Sequence, residues 1–161
     1  MMPHVCDSLI MNSLVVRLVK THEQLEAVRL LAGLNPEVGM EKLQCRLDEI
    51  IQKYPHYELY GAYDGNQMVA VCGAWVATKL WCGRYLEIDN IVTDPDCRSQ
   101  GVGTQLMEAM ETLARNRDCE ILVLDSYASN TSSHRLYHRL GYEIKGFHFV
   151  KGLPVALSSS T

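Results

Sequence analysis

The turn Arg98-Ser99-Gln100-Gly101-Val102-Gly103-Thr104 constrains this chain more than any other feature, because it joins a strand-like run to an amphipathic stretch. The run before it, Tyr85 to Thr93, is rich in β-branched and aromatic residues, and Val102, Leu106, Met110 and Leu113 after it repeat at helical spacing. A strand, a glycine turn and a helix start form an anion cradle. The first N–H groups of a helix have no internal partner, the dipole end is positive, and glycine lets a ligand approach the backbone. A pyrophosphate is the kind of group such a turn suits. Taken alone the pattern is weak, since Gly101 and Gly103 serve equally well for a tight turn into a helix with no ligand.

The rest of the chain narrows the class. Its 161 residues, 47% of them hydrophobic, fit one domain with a sizeable core and no need of disulfides or metals. A net charge of −4 without a cluster of Lys and Arg argues against nucleic acid as a partner. Six cysteines, Cys6, Cys45, Cys72, Cys82, Cys97 and Cys119, contain no CxxC pair, and no charged-then-apolar leader precedes them. That pattern fits reduced thiols in a cytoplasmic protein and no metal site. No apolar run approaches membrane-spanning length, so a membrane is not an expected partner.

Periodicity and turn signals predict the order β-α-α-β-β-β-α-β-α-β. Leu14 to Val19 reads as a strand, followed by a capping box at Thr21-His22-Glu23-Gln24 and a helix ending near Gly33. Leu43, Leu47, Ile50, Ile51 and Tyr54 mark a second helix that stops before Pro55. Tyr57 to Tyr63 and Met68 to Thr78 flank Asp64-Gly65-Asn66 as a hairpin, and Tyr85 to Thr93 completes three antiparallel strands. Ile121 to Leu124, apolar throughout, reads as a central strand covered on both faces. Asn130 caps a helix ending near Gly141, and Tyr142 to Val150 reads as the last strand. Residues 1–13 are expected to be a flexible tail, 14–152 a single domain, and 153–161 a C-terminal tail.

This order and two motifs resemble the GNAT superfamily of N-acetyltransferases, from about Leu14 to Val150. The family's acetyl-CoA loop has the form Arg/Gln-x-x-Gly-x-Gly/Ala, met here by Arg98, Gly101 and Gly103. A second signature, Asn with Tyr seven residues later and then Gly-Tyr or Gly-Phe, is met by Asn130, Tyr137 and Gly141-Tyr142. The resemblance implies an α/β (α+β) GNAT fold: a mixed, mostly antiparallel sheet of about six to seven strands flanked by about four helices. It also implies acetyl-CoA as co-substrate and no metal. The cofactor-binding residues it points to are Ile91, Val92, Thr93, Arg98, Ser99, Gln100, Gly101, Val102, Gly103, Thr104, Asn130, Ser133 and Tyr137.

Residues seven apart lie on one helix face roughly 10 Å from each other, a face able to follow an extended cofactor. By resemblance Asn130 hydrogen-bonds the pantetheine arm and the Tyr137 hydroxyl sits near the thioester sulfur. Their plainer roles are an N-cap for Asn130 and packing beside Leu136 and Leu140 for Tyr137. In the strand before the loop, strict alternation puts Leu86, Ile88 and Val92 on one face and Glu87, Asp89, Ile91 and Thr93 on the other. Two neighbouring carboxylates raise the pKa of one of them, which suits a base. Glu87, eleven residues before Arg98, is the first candidate and Asp89 the second, against solvent exposure or pairing with Arg or Lys.

The implied reaction is direct attack of a primary amine (small amine, polyamine, protein lysine or N-terminus) on acetyl-CoA in a ternary complex. An alkylamine with a pKa of about 10.4 is neutral in only on the order of one molecule in a thousand at pH 7, so a carboxylate that takes its proton helps. Backbone N–H groups near Ile91 to Thr93 would stabilise the oxyanion, and the Tyr137 hydroxyl would protonate the leaving thiolate. A non-catalytic acyl-CoA-binding regulatory module is the alternative, one that would need neither Tyr137 nor the acidic pair. The resemblance leaves room for a homodimer, which nothing in the residues demands.

Overall fold

The structure, a computed structural model, describes residues 14–153. The two expected tails therefore lie outside the described residues, apart from Leu153. The chain divides into two compact units, residues up to Leu124 and residues from Asp125 onward.

The first unit holds a five-stranded sheet in the order β1-β2-β3-β4-β5. Its strands are β1 (Val15–Leu18), β2 (Tyr57–Asp64), β3 (Gln67–Lys79), β4 (Gly83–Thr93) and β5 (Ile121–Leu124). The first four pair antiparallel, and β5 runs parallel to β4. Gly65, at φ +57°, closes the β2–β3 hairpin where the sequence placed it. The start of the first helix departs slightly from expectation. A 3-10 turn, Thr21–Glu23, precedes α1 (Gln24–Leu31), and Glu23 reaches back to accept the Lys20 backbone N–H at 2.9 Å. The reciprocal cap is thus one residue earlier than Thr21 and Gln24.

Helices cover both faces of the sheet. On one, α1 and α2 (Met40–Lys53) bury Ala27, Val28 and Leu47 against Tyr57, Leu59, Tyr63, Met68, Val71 and Val92. On the other, α3 (Val102–Asn116) turns Leu106, Met107, Met110 and Ala114 inward, with Leu86, Ile88 and Cys72 buried on the strands it packs against. Each of these large side chains contributes roughly 1.5–3 kcal/mol of burial energy, which is why the two helical stripes fix the layers.

Three expectations fail. Among the described residues the sheet has five strands rather than about six to seven. Ile121 to Leu124 is an edge strand among the described residues, each residue only half-buried, because its single partner is β4. A continuous apolar run says that a strand is covered but not how many neighbours it has. Tyr142 to Val150 is not a strand, and Ile144, Phe147, Phe149 and Val150 are exposed. Strand character belongs to a ladder between two segments, and composition alone cannot supply the second one.

The second unit contains α4 (Thr131–Arg139). Its start is capped by Asn130, whose Oδ1 accepts the Ser133 N–H at 3.4 Å. Its end closes as a Schellman motif: Gly141 is left-handed at φ +87°, the Tyr142 N–H donates to the Tyr137 carbonyl at 2.9 Å, and the Gly141 N–H to that of His138 at 3.1 Å.

Candidate active site

The loop from Arg98 to Thr104 is built by two left-handed residues. A 3-10 turn over Pro95–Cys97, capped by the Asp94 carboxylate on the Asp96 N–H, delivers an extended Arg98. Ser99 (φ +61°) and Gly101 (φ +80°) then turn the chain into α3, with Gly101 as N-cap. Gly101 adopts this conformation without penalty, whereas Ser99 does so at a cost. Among the described residues, no hydrogen bond is donated by the backbone N–H groups from Ser99 through Thr104. Arg98, Ser99, Gln100 and Gly101 are exposed, Gly103 and Thr104 half-buried, and Val102 is buried as the helix's first core contact.

Strict alternation along β4 does not survive. Val71 pairs with Val92 but Gly73 with Asp89, so Asn90 and Ile91 together face Cys72. This is a β-bulge, with Asn90 left-handed at φ +51°. The extra residue reverses the phase. Val92 shares the α1/α2 face with Glu87 and Asp89, while Thr93 joins Leu86 and Ile88 on the α3 face. The sequence held one signal for the bulge, an Asn, which tolerates the left-handed region better than most residues.

The two carboxylates sit on one face, as expected, in different settings. Glu87 lies 3.8 Å from the Lys79 ammonium, itself 4.3 Å above the Tyr85 ring. Asp89 Oδ2 accepts the Trp75 indole N–H at 3.2 Å. Both acids are half-buried. Tyr57 and Trp75, which the sequence did not single out, complete this face. The Tyr57 ring lies over Gly73, where a Cβ would stand 2.5 Å from the phenolic oxygen. Burial and the Asp89 charge push the Tyr57 phenol well above its ordinary range.

In the second unit Asn130, Ser133 and Tyr137 lie on α4 within two turns. Asn130 is the N-cap, half-buried, and Tyr137 is 9% exposed with its ring 6.0 Å from that of Tyr142. Burial raises the Tyr137 phenol above its usual pKa, opposed in part by a hydrogen bond with Ser133. It stays protonated at neutral pH.

A cleft of about 530 Å3 lies between β1 and α3, lined by Leu14, Val16, Tyr60, Gln105 and Met110 among others, and holds none of these residues. No cluster of His, Cys, Asp and Glu able to hold a metal occurs among the described residues, and none of their helices is long and apolar enough to cross a membrane.

The family model described as "Acetyltransferase (GNAT) family" matches residues 27–142. The chain belongs to the GNAT acetyltransferase family. Among curated relatives it is 29% identical over 136 residues to the uncharacterized N-acetyltransferase YhdJ of Bacillus subtilis, covering 84% of this chain and 95% of that one. It is 36% identical over 73 residues to the aminoalkylphosphonate N-acetyltransferase of Salmonella typhimurium, 45% of this chain and 46% of that one. A solved structure of AAC(6')-Iy in complex with the bisubstrate analog CoA-S-monomethyl-acetylneamine has the same fold, with a TM-score of 0.74, 21% identity, and coverage of 89% of this chain and 100% of that one. A transcriptional regulator from Bacillus halodurans matches at a TM-score of 0.75, 20% identity, 87% of this chain and 99% of that one. The chain is an acyltransferase of the GNAT type.

Proposed function

We propose that this protein transfers the acetyl group of acetyl-CoA to a primary amine by direct attack in a ternary complex. The observation that carries this reading is the loop before α3, whose N–H groups from Ser99 through Thr104 donate no hydrogen bond among the described residues. They would hold the pyrophosphate, with the Arg98 guanidinium beside it, as an anion site at a helix N-terminus. Asn130 and Ser133 would bind the pantetheine arm.

In the reaction the neutral amine nitrogen forms a bond to the thioester carbon, and the carbonyl oxygen takes up negative charge. Backbone N–H groups at the Ile91 to Thr93 end of the bulge would stabilise it, since a bulge frees main-chain groups from the ladder. The amine proton passes to Glu87 or Asp89, directly or through water. The C–S bond then breaks, and the Tyr137 hydroxyl gives its proton to the departing thiolate. A phenol raised above its ordinary pKa is fully protonated beforehand, as an acid must be.

The test is thiol release from acetyl-CoA over a panel of polyamines, amino acids, aminoglycosides and short peptides, with acetyl-CoA affinity measured by calorimetry. Release with one class of amine is the expected result. Acetyl-CoA binding with no release for any amine overturns the enzyme reading in favour of a binding module. Gly101→Val separates the cofactor step, since a β-branched residue at φ +80° must distort the loop. Affinity for acetyl-CoA falls in that variant; unchanged affinity rules out the cradle.

A further inference from the structure

Four rings meet on the α1/α2 face of the sheet, around Trp75. Its centroid lies 4.6 Å from that of Tyr57, 5.4 Å from His56 and 5.7 Å from Tyr54. Tyr57 is buried beneath the cluster, Trp75 is half-buried, and His56 and Tyr54 are exposed at its rim. Gly73 makes the arrangement possible, because the Tyr57 ring occupies the space a side chain there would fill. Across the ladder from Gly73 stands Asp89, held by the Trp75 indole N–H at 3.2 Å.

The charge at Asp89 is what sets this face apart. Glu23 sits against Arg17, Glu58 against Arg117 and Glu87 near Lys79. Among the described residues no Lys, Arg or His lies within ion-pair distance of Asp89, although it is half-buried. Its negative charge bears on the Tyr57 phenol and the Cys72 thiol, raising both. A half-buried carboxylate that meets a neutral N–H and, among the described residues, no cation has room for one, and aromatic rings beside it attract cations and apolar methylenes. A single kind of group satisfies both demands: an alkylammonium.

We propose that Trp75 and Asp89 bind the ammonium-bearing end of the acceptor, the charge against the Asp89 carboxylate and the adjoining methylenes on the indole, with Tyr54 and His56 at the rim. The word acceptor rests on the acetyltransferase reading; the ammonium site rests on the residues alone. The site selects amines that arrive protonated on an alkyl chain over neutral molecules of the same shape.

The chain has two tryptophans, so Trp81→Phe leaves Trp75 as the sole indole reporter. In that background, n-butylammonium and 1,4-butanediamine are titrated with and without saturating CoA, with n-butanol as the neutral control. A saturable change in Trp75 emission with both amines and none with butanol is the expected result. Asp89→Asn, which keeps an oxygen for the indole N–H and has its fold checked by circular dichroism, weakens amine binding by about ten- to a hundredfold. Equal affinity in Asp89→Asn, a response to butanol matching that to the amines, or no saturable response overturns the site. Acetyl-CoA binding measured in parallel separates the two claims. Acetyl-CoA bound without amine response removes the ammonium site and leaves the acetyltransferase reading standing; amine binding without acetyl-CoA binding does the reverse.

Discussion

At the scale of single residues, burial decides which groups are available for chemistry. Tyr137 is buried and protonated, so its removal costs the proton and little else. Tyr137→Phe is expected to lower kcat by about a hundredfold or more while acetyl-CoA affinity stays within about twofold, read from steady-state kinetics beside calorimetry. A kcat equal to that of the unaltered protein removes Tyr137 from the reaction. Cys72 offers a contrast. Burial beneath α3, with a contribution from the Asp89 charge, pushes its thiol up to about 12, so it is not a thiolate at neutral pH. Alkylation with iodoacetamide at pH 8, followed by peptide mass mapping, should label exposed Cys45 quickly and leave Cys72 unlabelled until the protein unfolds. That Asn130 caps a helix carrying Tyr137 was legible from their spacing and from the Gly141-Tyr142 that follows. Trp75 and Tyr57 were not legible, because their meeting depends on strand pairing, which residue spacing along one segment does not record.

At the scale of elements, the β2–β3–β4 meander carries Tyr57, Trp75, Glu87 and Asp89, and its register is set by contacts that a single strand does not reveal. Gly73 is the sharpest case. A Cβ there would stand 2.5 Å from the Tyr57 hydroxyl and 2.6 Å from a ring carbon, so Gly73→Ala must displace the ring. The expected cost is about 1–3 kcal/mol in urea unfolding, accompanied by a change in Trp75 emission because the Tyr57 ring is its nearest aromatic neighbour. Unaltered stability with unaltered emission would mean that the ring has room to move. The hairpin at Gly65, the α3 stripe and the Schellman end of α4 were all readable beforehand, since each depends on residues within a few positions. The bulge at Asn90 and Ile91 was not, and it alone reversed the face assigned to Val92.

For the whole molecule, the Arg17–Glu23 pair joins three elements. Arg17 of β1 donates to Glu23 at 2.7 and 2.8 Å, and the Tyr63 hydroxyl of β2 donates to the same carboxylate at 3.1 Å, below the turn that starts α1. The Arg17 guanidinium first, and then the Lys20 backbone N–H, hold the Glu23 carboxyl well below the usual carboxylate range. In acid the unfolded chain therefore takes up this proton before the folded one. The pair's contribution to stability is complete above the ordinary carboxylate pKa of about 4.3, declines as pH falls below it, and is gone once pH passes below the folded value. Glu23→Gln should flatten the acid side of a stability-against-pH curve measured by thermal melting; an unchanged slope between about pH 5 and 2 would refute the linkage. The same distinction between near and distant contacts separates what the chain's own order determined from what tertiary structure decided. Local patterns determined the helices, the hairpin, the glycine turn into α3 at Gly101 and the family, because caps, turns and helical stripes are energetically settled within one or two turns of chain. Among the described residues, tertiary structure decided that β5 stands at an edge, that Tyr142 to Val150 forms no ladder, and that Asp89 meets Trp75 rather than a cation. Those outcomes depend on which segments become neighbours, and the energy that selects neighbours comes from burial across the whole sheet rather than from any one stretch of sequence.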